Sequence, residues 1–264
     1  MDLKSTAEKN NLINYLTEYQ KIPLDYYDDT TAFLDVFNNY DAEIFFVDRE
    51  IKRIFDYMDK KELNTHTLWA ITADHGEGLG NHYFYGHGKY LYNEQVNIPL
   101  ILYFSDKRYD QKEITEIIRH VDILPTFSEL IGYPIAEAIQ FIQGYSLIPL
   151  LKEENNSFPA KYSFSQRRPK DNDNRKEWEP GRIYCLQNLR YKYIYHSQGK
   201  DEFYDLVRDP FELENLIDIP SRIKREIEIK LKDKYKTMSM QSKDCAPRSV
   251  DKKYLQELKA LGYF

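Results

Sequence analysis

Cysteine is nearly missing from this chain. Cys185 and Cys245, far apart in 264 residues, make neither a disulfide framework nor a structural zinc spacing. A stapled mini-scaffold and a zinc-finger fold are excluded, while the redox compartment stays open. Long apolar runs are missing too: no stretch of about 18 such residues occurs, so no segment reads as a membrane-spanning helix. The first residues, MDLKSTAEKNNLINYL, lack the apolar core of a secretory signal, which gives the expectation of a soluble chain of unknown location. Nor is there a basic stripe. The net charge is −6 and the pI near 5.6, with acids and bases interspersed, so neither nucleic acid nor an anionic membrane surface is expected as a partner. What abounds is tyrosine, 23 residues, which suits strand packing with a wet hydroxyl end better than a sugar-stacking surface.

The most informative stretch is TADHGEGLGNH, Thr72 to His82. It follows TLWAITA (Thr67–Ala73), a short apolar run with the composition of a buried strand, and in open α/β sheets ligands collect beyond the carboxyl ends of such strands. Asp74 and His75 therefore stand where a carboxylate and an imidazole can share a divalent cation, and Gly76, Gly78 and Gly80 allow the sharp turn that follows. An Asp-His-Gly after a strand also reads as a simple turn, with Asp bonding its own backbone. Against that, three of the six histidines, His75, His82 and His87, crowd into one loop, followed by Lys89.

A helix is predicted over Thr30–Lys60, where Phe37, Tyr40, Ile44, Val47, Ile51, Ile54 and Met58 recur at steps of three and four, with Asp28, Asp29 and Thr30 as capping groups. Helix followed by strand is half of a parallel βαβ layout. IPLILYF (Ile98–Phe104) reads as the next buried strand with Pro99 near its start. The intervening loop, Asp74–Asn97, is long enough to be functional. HVDILPTFSELIGY, with Pro125 in its first turn and Gly132 past its end, is a short helix. Composition turns polar from about Lys152 to Pro180, which reads as a boundary and surface loop. Beyond it GRIYCLQNLRYKYIYH and EFYDL alternate as antiparallel strands, and Ser221–Met238 and Asp251–Leu261 look helical. The expected organisation is a partial α/β domain over residues 1–151 and a smaller α+β subdomain over 152–264.

These segments, in this order, resemble the carboxyl-terminal two-thirds of a sulfatase of the alkaline-phosphatase-like superfamily. YDAEIFFVDREIKRIFDYM resembles the helix before the family's metal strand, TADHGEGLGNHYFYGHGKYLYNEQVNIPLIL its metal and substrate loop with the next strand. HVDILPTFSELIG, QGYSLIPLL, KYIYHSQGKDEFYDLVRDPFELENLID and LKALGYF resemble the elements that follow. The resemblance implies an α/β fold with a mainly parallel sheet flanked by helices, plus a small antiparallel carboxyl-terminal subdomain. It implies a metal-dependent sulfuric-ester hydrolase of the formylglycine type, with phosphodiester or phosphonate hydrolases and phosphoethanolamine transferases as near alternatives. The substrate implied is a sulfated small molecule or carbohydrate.

Carried over residue by residue, Asp74 and His75 fall on the pair completing the metal site, which in the family usually holds calcium and in relatives manganese, magnesium or zinc. The imidazole by itself favours a softer or mixed metal. His87 falls where many members have a lysine on the sulfate and leaving oxygen, and as histidine it can donate to that oxygen near neutral pH. Lys89 is the second candidate for that role and His82 a third, for substrate contact. Glu77 is expected to fix the loop. The family's C/S-x-P-x-R nucleophile motif and first aspartate pair have no counterpart before Asn39, and CAPRSV at Cys245–Val250 is a chance lookalike in the tail. The expectation is that this chain alone does not turn over sulfate esters. Its uncovered apolar faces should drive association, with itself or with a partner supplying the remaining half.

Overall fold

The computed structural model describes residues 6–26, 29–133, 143–152, 158–167 and 181–244. The chain opens with helix α1 (Thr6–Asn14), continued by one π-helical turn, and then α2, which spans Thr30–Lys60 as the periodicity predicts. Asp29 caps α2, accepting the backbone N–H groups of Thr31 and Ala32 at 2.7 and 2.8 Å, which meets two donors that a helix start leaves orphaned. Asp28 lies outside the described residues. Phe33, Leu34 and Phe37 bury the first turns of α2 against Leu16 and Ile22. Near the other end, Phe55 stacks on Trp69 at 3.8 Å between centroids and leans on Tyr103. Between these anchors the apolar face is bare: Ile44, Phe45, Phe46 and Val47 are each more than half exposed.

Strands β1 (Leu68–Thr72), β2 (Gly78–Leu79), β3 (Tyr85–Gly86) and β4 (Leu100–Phe104), with a one-turn helix α3 (Asn93–Val96) before β4, follow in order. β1 pairs with β4 antiparallel, Leu68 opposite Phe104 and Thr72 opposite Leu100. This corrects one expectation: among the described residues the strand at Thr67 enters no parallel pair. A parallel return needs a crossover long enough to carry the chain back to the other end of the sheet, usually on a helix. The segment from Ala73 to Pro99 has only a small hairpin and one helical turn, so it re-enters at the end it left. One face of the pair meets α2 through Trp69 and Tyr103; on the other, Leu100 and Leu102 pack on Leu147, Phe158 and Ala160.

Next come α4 (Ile123–Leu130) and α5 (Ile148–Leu151). Gly132, at φ +69, ends α4 while the N–H of Tyr133 reaches back to the carbonyl of Ser128 at 2.8 Å, the left-handed stop expected of glycine there. The wholly buried Asp122 ties this region together, accepting N–H groups from Arg119 and Tyr145, both at 2.8 Å, and pairing with the Arg119 guanidinium.

The carboxyl-terminal unit is a four-stranded antiparallel sheet, β5 (Ser163–Arg167), β6 (Ile183–Gln187), β7 (Tyr191–His196) and β8 (Glu202–Asp205), in that spatial order. β6 to β8 fall where alternation places them. β5 sits within the stretch read as surface loop, and pairs Ser163 with Gln187 through Arg167 with Ile183. SFSQR has little strand signal of its own and is recruited by the open edge of β6. Helix α6 (Arg222–Asp244) covers one face of the sheet with Ile227 and Leu231 against Tyr184, Leu186, Tyr193 and Phe203. The other face, Ile183, Cys185, Ile194 and Tyr204, is covered by Leu91, Tyr92 and Val96 from the loop after β1. The helix expected at Asp251–Leu261 and the lookalike at Cys245 lie outside the described residues. Burial pushes the Cys185 thiol up to about 12, which keeps it an inert core residue. The α/β class with an antiparallel carboxyl-terminal sheet is therefore the architecture of this chain, and its site loop runs from the end of the β1–β4 pair onto one face of the carboxyl-terminal sheet.

Candidate metal and substrate site

The loop leaves β1 at Ala73, whose carbonyl lies 2.8 Å from His120 Nε2, and rejoins β4 after Pro99, whose carbonyl accepts the Thr72 hydroxyl at 2.7 Å. Inside it, Gln95 fastens two distant points. Its backbone carbonyl accepts the Gly76 N–H at 2.9 Å, and its buried side-chain oxygen accepts the Gly88 N–H at 3.0 Å. A Cβ at position 76 would lie 2.0 Å from the Glu94 carbonyl oxygen, so only glycine permits this approach.

Those two glycines flank the histidines that matter. His75 and His87 stack with ring centroids 4.1 Å apart. His75 Nδ1 lies 2.8 Å from the Gly76 carbonyl, an acceptor only, so Nδ1 carries the proton and Nε2 is free in the neutral ring. His87 Nδ1 lies 2.9 Å from Glu77 Oε2, which orients the ring in the same way and frees its Nε2. Asp74 is exposed; one carboxylate oxygen accepts the His75 N–H at 3.0 Å and the other lies 3.6 Å from His75 Nε2. One donor atom from each of His75, Glu77 and His87 lies within 4.8 Å of the other two. Glu77, expected only to fix the loop, thus stands inside the cluster.

The other two candidates lie apart from it. Lys89 places its ammonium over the rings of Phe84 and Tyr90 at 5.2 and 4.9 Å, a cation–π seat. His82 is largely buried, stacked on Tyr92 at 3.6 Å, with Nδ1 2.8 Å from Glu94 Oε1 and Nε2 3.1 Å from the Glu212 carbonyl. Both partners are acceptors, so both nitrogens must donate and the ring is an imidazolium. Burial alone would lower its pKa, but the Glu94 carboxylate and the Glu212 carbonyl raise it above 6.5. His82 is thus a cationic bridge from the loop to the carboxyl-terminal unit. A raised folded-state pKa gives stabilisation that is complete below 6.5 and is lost as pH rises through the folded value. NMR titration of the His82 ring should show that elevated pKa, and Glu94→Gln should bring it down; an unshifted wild-type value would refute the bridge.

The match to known proteins follows this order of elements. A family model described as "Sulfatase" matches residues 5–133, and one described as "N-sulphoglucosamine sulphohydrolase, C-terminal" matches residues 80–241, which takes in the loop from Gly80 onward, the antiparallel sheet and most of α6. The chain belongs to the sulfatase family. It is 28% identical over 182 residues to a Delta 4,5-hexuronate-2-O-sulfatase of Bacteroides thetaiotaomicron, covering 66% of this chain and 35% of that protein. It is 30% identical over 185 residues to the multifunctional alkaline phosphatase superfamily protein PehA of Trinickia caryophylli, with the same two shares. The chain spans about a third of the length of the curated relatives it matches. Among solved structures, BT4656 in complex with its substrate D-glucosamine-2-N,6-O-disulfate superposes with a TM-score of 0.68 over 94% of this chain and 50% of that one, at 23% identity, a likeness of fold. No helix among the described residues is long and apolar enough to cross a membrane.

Sequence reasoning missed Gln95, whose partners Gly76 and Gly88 lie in its own loop, and Lys192 and Glu212, whose loop partners lie far along the chain. One signal was present. Lys192 sits in the apolar alternation YKYIY, where a cation demands a buried counter-charge.

Proposed function

We propose that this chain supplies the metal-completing and leaving-group half of a sulfuric-ester hydrolase site whose substrate is a sulfated carbohydrate. The observation that carries it is the stack of His75 and His87 beside Asp74, with an Nε2 left free on each ring. Asp74 and His75 would hold a divalent cation, calcium first and manganese, magnesium or zinc as alternatives. Cis ligands bonded at about 2.0–2.6 Å lie roughly 2.8–3.7 Å apart, and the 3.6 Å between Asp74 Oδ2 and His75 Nε2 fits. A cation there supplies charge neutralisation for the ester's non-bridging oxygens. His87, oriented by Glu77, holds its Nε2 for a proton exchanged with the leaving alcohol. Lys89 is a second, more distant cation for the sulfate, and His82 acts by holding the loop.

The test uses Ca2+ and Mn2+ titrations followed by the His75 and His87 ring signals. Asp74→Ala or His75→Ala is expected to weaken binding at least tenfold, with Lys89→Ala near wild type. No shift of either ring up to millimolar metal would remove the reading. The solved phosphonate monoester hydrolases that superpose at 20% and 22% identity share the fold alone and do not favour the phosphonate alternative.

The bare stretch of α2 from Ile44 to Val47 fits a missing layer, supplied by the remainder of a sulfatase fold in the same or another polypeptide. Light scattering is expected to show association that Phe45→Glu/Phe46→Glu abolishes; a monodisperse monomer at high concentration would contradict this.

A further inference from the structure

Besides the apolar cover of Leu91, Tyr92 and Val96 and the bond of the Tyr92 hydroxyl to Glu202, the carboxyl-terminal unit holds the site loop through a buried ion pair. Lys192 in β7 and Glu212 in the turn after β8 are both wholly buried, 2.7 Å apart. Among the described residues, the Lys192 ammonium's other hydrogen bonds go to the loop: it donates to the Leu91 carbonyl at 3.1 Å and to Asn93 Oδ1 at 2.8 Å. Glu212 turns the same way. Its Oε2 accepts the Asn93 N–H at 2.6 Å and its carbonyl accepts His82 Nε2. Glu212 also holds φ at +55, a strained backbone for a residue with a side chain, and this conformation lets side chain and carbonyl serve the loop together.

Resting on the site reading above, we propose that Glu212 and Lys192 are positioning residues for the His75–His87 pair, acting through Asn93 and Gln95. Asn93 begins the helical turn on which Gln95 sits two residues later, and Gln95 holds Gly76 and Gly88, the neighbours of the two histidines. The path is continuous: two buried charges, one helical turn, one amide and two glycines. Stability is a poor reason for such a pair, since apolar residues of similar size commonly do as well or better in a core. What they would not reproduce is the set of bonds to Leu91, Asn93 and His82. Removing those bonds should leave the sheet standing and let the site loop drift.

The experiment compares Glu212→Gln, Lys192→Met and the double variant with wild type by NMR and hydrogen exchange. The double variant leaves no unpaired buried charge, so it keeps the test usable if either single change fails to fold. The expected result is native protection of the β6 and β7 amides, exchange at least tenfold faster at Gly76 and Gly88, and loss of the mutual ring-current shifts of His75 and His87. Mn2+ affinity should fall 10–100-fold, the usual size of effect when groups behind metal ligands are lost. Wild-type ring signals and Mn2+ affinity in a folded double variant would overturn the proposal, as would collapse of strand protection in the double variant as well as the singles. The ring signals are read without metal, so a wild-type protein that ignores Mn2+ would count against the site reading alone.

Discussion

Lys192→Ala is expected to cost about 3–5 kcal/mol of stability, the usual loss when one partner of a buried ion pair is removed and the other stays charged without compensation. Burial already pushes the Glu212 carboxyl above its ordinary range, so without Lys192 it would be left either as an uncompensated charge or forced to take up a proton, and the Leu91 carbonyl and Asn93 side chain would lose their shared donor. A surface pair such as Lys200 with Asp218 gives the contrast, because exposed pairs contribute about 0–1 kcal/mol. Urea unfolding of Lys192→Ala and Lys200→Ala side by side measures the difference. Adding Glu212→Gln to the first variant should recover part of its loss. A Lys192→Ala cost below 1 kcal/mol would mean that water or another cation reaches Glu212.

Gly76→Ala is the second large effect, and its origin is steric. The added Cβ would meet the Glu94 carbonyl oxygen at 2.0 Å and its carbon at 3.0 Å, and these are backbone atoms that cannot swing aside. Overpacking costs about 1–3 kcal/mol, and this site belongs near the upper figure because the Gly76–Gln95 hydrogen bond goes with it. Function should suffer more than stability: His75 moves off His87, and metal affinity falls at least tenfold. Gly132→Ala is the control. There a Cβ meets nothing within 4 Å, so only the left-handed backbone penalty of about 1–2 kcal/mol remains and the histidine signals stay put. Wild-type metal binding in Gly76→Ala would show that the loop finds another path past Glu94.

The elements that periodicity and capping control were legible in the sequence. The bounds of α2, the strands around Trp69 and Ile101, the stop at Gly132 and the alternation of β6 to β8 all follow from local chemistry. Family order then placed Asp74, His75 and His87 in one loop. Strand direction was not legible, because Leu-Trp-Ala-Ile-Thr has the same composition whether its neighbour runs parallel or antiparallel. β5 was not legible either, since Ser163–Arg167 is a strand only because β6 offers an edge. The buried wiring escaped for the same reason. Nothing near Lys192 names Glu212, and nothing near His82 reveals that its ring is held by a carbonyl 130 residues away.

That separation also sets a timetable. Three contacts that fix the loop span 101, 119 and 130 residues, so they close late by loop-closure entropy, and the two longer ones cannot close until Glu212 has left the ribosome. At roughly 5–20 residues per second, the histidine pair waits on the order of ten seconds after His82 is made before its last anchor exists. A nascent chain therefore carries the loop without these anchors until the strand and turn that hold Lys192 and Glu212 have been synthesised and folded.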